Sequence, residues 1–104
     1  MDYSKTDFKV LGVSIPRLEM EKTIHSEQYA HLLALLRSAR EAAELTQIQL
    51  ASRLGETQSF VSKCERGERR LDLIELRLWC AAIGVPLIEF VTRLEQAVGR
   101  SSRR

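Results

Sequence analysis

The sequence is poor in the residues that build metal or cofactor chemistry. Of its 104 residues, two are cysteine and two are histidine. Cys64 and Cys80 lack the short paired spacing of a metal site. Each falls inside an apolar helical pattern, so both read as reduced core residues of an intracellular protein. His25 and His31 have no acidic or cysteine partner to complete a site. No nucleophile–base pair, phosphate-cradling loop or metal cluster stands out, which argues against an enzyme and against a bound cofactor. No apolar run reaches the length that spans a bilayer, and there is no secretory signal. The expected compartment is therefore the cytoplasm, in association with the nucleoid.

What is present suits one small globular domain. Hydrophobic residues make up 44% and charged residues 29% of the chain. The net charge is +2, and its distribution is more informative than its size. Residues 1–36 carry four basic and five acidic side chains, 37–70 seven and five, and 71–104 five and four. The positive excess lies centrally and at the C-terminal tip. That is compatible with a phosphate-facing patch, or with a mixed, solvated surface.

Residues 1–25 form an N-terminal extension. "FKVLGVSI" alternates weakly and is followed by Pro16. It reads as a short strand or an extended arm, with disorder as the plain alternative. From Ser26 the spacing turns helical. Tyr29, Leu32, Leu33, Leu36, Ala39 and Ala43 mark one face of a first helix ending near Glu44. "TQIQ" at Thr46 is a capping box, and Leu50, Ala51 and Leu54 face inward on a second helix that stops at Gly55. Thr57 caps a third helix over Gln58 to about Arg66, with Val61 and Cys64 inward and Gly67 beyond its end. Asp72 caps a fourth helix, whose inner face is Leu73, Leu76, Trp79, Cys80 and Ile83. A fifth runs from about Pro86 to about Val98, and 99–104 is a polar basic tail. The expected fold is all-α: five short helices over residues 26–98.

One glycine between the second and third helices makes a tight corner. Small Ala51 allows the third helix to cross closely, and Val61 and Cys64 fill the angle. The outer face of the third helix is then free to enter a major groove. Gln58 offers a donor and an acceptor together, as adenine requires. Lys63 can reach guanine O6 and N7, and Ser59 can donate or accept at either base. Arg66, Arg69 and Arg70 are charged donors suited to phosphate oxygens. The plain alternatives are ordinary polarity at a helix N-terminus and a solvated loop.

"QIQLASRLGETQSFVSKCERG", Gln47 to Gly67, resembles the helix-turn-helix of the phage repressor and Cro (XRE) family. The likeness extends over "LLALLRSAREAAELT" and "LIELRLWCAAIGVPL", roughly Tyr29 to Phe90. It implies a five-helix, lambda-repressor-like DNA-binding domain, a transcriptional regulator working as a homodimer on a near-palindromic site in double-stranded DNA. By position it implies that Gln58, Ser59, Ser62 and Lys63 read bases. Thr46, Gln47, Arg66, Arg69 and Arg70 would meet the DNA backbone. Ala51, Gly55, Val61 and Cys64 would build the motif, and Arg40 and Glu65 would pair internally. Ile88, Leu94 and Val98 on the fifth helix are candidates for a dimer interface. Two departures stand out. Leu71 replaces a common proline, and Phe60 occupies an outward position where smaller residues are usual. Phe60 is suited to a thymine methyl, to covering the second helix, or to a partner. The extension also suits an antitoxin that binds a toxin as well as its own promoter. A non-DNA-binding adaptor on the same fold is a further alternative.

Overall fold

The computed structural model describes residues 26–102. The expectation of a strand or arm at "FKVLGVSI" lies outside the described residues, as does the tip of the tail at 103–104. Five helices and no strand occur among the described residues: α1 Ser26–Ala42, α2 Gln47–Leu54, α3 Gln58–Glu65, α4 Leu73–Ile83 and α5 Leu87–Ser102.

Three helices begin at side-chain caps. Thr46 Oγ1 accepts from the Gln49 amide at 3.1 Å, and Gln49 Oε1 accepts from the Thr46 amide at 2.9 Å. Thr57 Oγ1 accepts from Phe60 N at 3.0 Å. Asp72 Oδ1 accepts from Glu75 N at 2.7 Å, and Glu75 Oε1 accepts from Asp72 N at 2.9 Å. These bonds satisfy amides that the first turn of a helix leaves without partners. Gly55 closes α2 in the left-handed region at φ 69°, which turns the chain sharply into α3.

Two helix ends differ from the sequence reading. The first helix stops at Ala42, because Glu44 adopts φ 59° and the Leu45 amide returns to the Arg40 carbonyl at 3.2 Å. At the other end, α5 continues past Val98 to Ser102, since Gly99 keeps a helical backbone.

Every helix contributes to one core. Leu36 and Ala39 come from α1, Leu50 and Ala51 from α2, and Val61 and Cys64 from α3. Trp79, Cys80 and Ile83 come from α4, and Phe90 from α5. Leu45, between α1 and α2, is also buried, although no periodic stripe points to it. Leu73 is a correction: it is 64% exposed rather than inward. The fully buried residues of α4 all lie in its second half; Leu76 packs against the core from the side, while Leu73 and Ile74 at its start stand clear of it.

Candidate nucleic-acid interface

With α2 and α3 packed together and Ala51, Val61 and Cys64 buried between elements, α3 has its inner face fixed. At 3.6 residues per turn, positions 58, 59, 62, 63 and 66 share the opposite face. Gln58, Ser59, Lys63 and Arg66 are exposed there, and Ser62 is half-buried. The four side chains expected to read bases thus stand together on one outward surface.

Behind that surface runs a chain of polar contacts. Gln58 Nε2 donates to Gln47 Oε1 at 2.8 Å. Gln47 Nε2 donates to Glu65 Oε1 at 3.0 Å. Arg40 Nε donates to Glu65 Oε2 at 2.7 Å, and Nη2 to Oε1 at 3.1 Å. Arg40 Nη1 completes the chain at the Leu45 carbonyl, at 2.8 Å. Arg40 is only 7% exposed, so its charge requires this pairing. Its hydrogen bonds to the Glu65 carboxylate hold the Arg40 guanidinium pKa above its ordinary value, against the opposing effect of burial.

The network has a directional consequence. The Glu65 carboxylate accepts only, so Gln47 must turn its NH2 inward and offer its oxygen outward. Gln58 therefore spends one N–H on Gln47. Its second N–H and its oxygen remain, which is the pair that adenine N7 and N6 require. The internal pairing of Arg40 with Glu65 was expected. The place of Gln47 between Glu65 and Gln58 was not, because glutamine spacing alone does not show which way an amide faces.

The segment after α3 differs more from the sequence reading. Arg66 donates to Glu68 at 2.8 and 3.3 Å and to the Ser62 hydroxyl. Arg69 donates to both oxygens of Glu75, at 3.0 and 2.6 Å, and to the Arg70 carbonyl. These arginines hold the Glu68 and Glu75 carboxyls below the usual carboxylate range. Arg69 also lies over the Phe60 ring, 5.1 Å from its centroid, and Arg70 over the Tyr29 ring at 4.2 Å. Phe60 itself is half-buried against the core. It faces sideways along α3 rather than outward.

Of the remaining expected residues, Thr46 is exposed but its hydroxyl is committed to the α2 cap. Ile88 is 78% exposed on α5, whereas Leu94 and Val98 are half-buried. Arg53, absent from the sequence reading, donates to the Ala82 carbonyl at 2.8 Å and ties α2 to the end of α4. No group of residues able to hold a metal ion occurs among the described residues. No described helix is long and apolar enough to cross a membrane.

The chain matches the helix-turn-helix family over residues 36–90. Among solved structures, it is similar to an XRE-family like protein from Pseudomonas syringae pv. tomato str. DC3000. The identity is 51% and the TM-score 0.69, over 74% of this chain and 94% of that one. No curated protein matches.

Proposed function

The chain belongs to the XRE family of helix-turn-helix proteins, and from that premise we propose that it is a sequence-specific DNA-binding transcriptional regulator. The observation that carries this reading is the outer face of α3. Gln58, Ser59 and Lys63 project together from a short helix whose opposite side is locked into the core. A major groove admits a helix presenting donors and acceptors in this way. Gln58 would read adenine, Lys63 guanine, and Ser59 and Ser62 their neighbours. Thr46, Gln47, Arg66 and Arg70 would lie toward the DNA backbone beside this face.

The protein would act as a homodimer, with the exposed Ile88 of α5 beside Leu94 and Val98 at the contact. Two copies related by a two-fold axis would place two α3 helices in successive major grooves. The test is selection of bound duplexes from a random-sequence pool at physiological salt. The expected product is a two-fold-symmetric site with half-sites about one helical turn apart. Weak, salt-sensitive binding without enrichment would refute sequence-specific reading. Enrichment of a single unsymmetrical site would refute the dimer alone.

A further inference from the structure

Arg69 was expected to grip phosphate, yet three of its five N–H donors are already engaged within the protein. Its planar fork meets both oxygens of Glu75. Its Cζ lies over the Phe60 ring, 5.1 Å from the centroid, and Nη1 also reaches the Arg70 carbonyl. Those partners belong to three different parts of the fold. Phe60 is on the flank of α3, next to the base-facing residues. Arg70 is in the connecting loop. Glu75 is the residue of α4 that accepts from the Asp72 amide in its capping box.

We infer that Arg69 is a positioning residue: with Phe60 and Glu75 it forms a latch that fixes the base-reading helix α3 against the start of α4. The inference rests on the DNA-reading function proposed above and assigns Arg69 a part in specificity rather than backbone affinity. The chemistry calls for arginine. A guanidinium can bond a carboxylate through two parallel N–H groups while its flat face stacks on a ring. A lysine keeps the charge but can do neither.

Two substitutions separate a latch from a phosphate contact. Arg69→Lys retains the positive charge and removes the fork. Glu75→Gln removes the ion pair but keeps an oxygen for the Asp72 amide, so the α4 cap persists. Each variant is measured in two ways: amide hydrogen exchange across α3 in the DNA-free protein, and binding to the selected duplex and its single-base variants over a range of salt.

The latch requires faster exchange of the α3 amides in both variants. It also requires discrimination between the duplex and its base variants to fall about tenfold, comparable to what one base pair contributes. The salt slope should stay at the wild-type value, since no phosphate contact is gained or lost. Unchanged exchange in both variants would overturn the inference. So would near-wild-type binding by Arg69→Lys together with tighter binding and a steeper slope for Glu75→Gln, because that pattern marks an arginine freed for phosphate. If the wild-type protein selects no duplex, the DNA reading fails on its own account, and the exchange rates still decide whether the latch exists.

Discussion

Lys63 stands on the outer face of α3, exposed, one turn beyond Ser59 and next to Ser62. Its ammonium is a compact charge on a flexible stem, suited to guanine O6 and N7. Lys63→Ala is expected to cost about 1–3 kcal/mol of binding and to relax preference at one base position. Competition titrations with single-base variants of the selected site will show this; an equal loss on every sequence would instead make Lys63 a backbone contact. Single residues also fix the turns, and there the same geometry has opposite consequences. Gly55 and Glu44 both occupy the left-handed region, at φ 69° and φ 59°. A side chain in that region costs roughly 1–2 kcal/mol. Gly55→Ala should therefore destabilise the protein by about that amount, although a Cβ there would meet nothing within 4 Å. Glu44→Gly should relieve the same strain, leaving a gain on the order of 0.5–1 kcal/mol after the larger chain entropy of glycine is offset. Denaturant titration of the two variants side by side checks both signs.

At the scale of elements, the buried link between α1 and α3 joins stability to recognition. Glu65→Ala would leave Arg40 charged, buried and without its carboxylate. The expected loss is about 3–5 kcal/mol, read by thermal or denaturant unfolding. Replacing the pair by apolar residues, Arg40→Met with Glu65→Leu, should recover part of that loss, because no buried charge remains. Recovery is partial, since the Leu45 carbonyl still loses its donor. Neither variant restores an acceptor for Gln47, so both should lose preference at the base proposed for Gln58. A double variant that regains stability and base preference together would show that Gln47 and Gln58 orient without the network. The three inner helices were legible in the sequence because caps and apolar spacing agreed there, whereas the ends of α1 and α5 carried no such agreement. Thr46 with Gln49, Gly55, Asp72 and Gly84 all end or begin helices where local chemistry says they should. Leu73 was misplaced because periodicity gives a face but not how far neighbouring helices extend along it. The partners of Arg69 were hidden for a related reason. Nothing in "GERRLDLIE" shows whether an arginine turns toward solvent or back onto Glu75, since that depends on where α4 starts in space.

For the whole molecule, the two cysteines report how the fold opens. Cys64 on α3 and Cys80 on α4 are both fully buried, and both are free thiols. Burial pushes the Cys64 thiol up to about 11 and raises Cys80 as well. Near neutral pH neither is a nucleophile in the folded state, so a thiol reagent must wait for the chain to open. The core that covers them draws on all five helices, and Trp79 lies in the same cluster. Removing α3 alone would uncover Val61 and Cys64 and open the surfaces of α1 and α2 beneath them, which makes a private opening of α3 costly. A domain of this size with one shared core should unfold as a unit. Under conditions where reclosing outpaces labelling, Cys64 and Cys80 should therefore yield the same opening free energy. That value should equal the unfolding free energy followed by Trp79 fluorescence. Reducing agents should leave the midpoint unchanged, since no disulfide is present among the described residues to reduce. Faster labelling of Cys64 than of Cys80 would identify α3 as a separately opening element, and α3 would then be the least stable part of the fold rather than a fixed one.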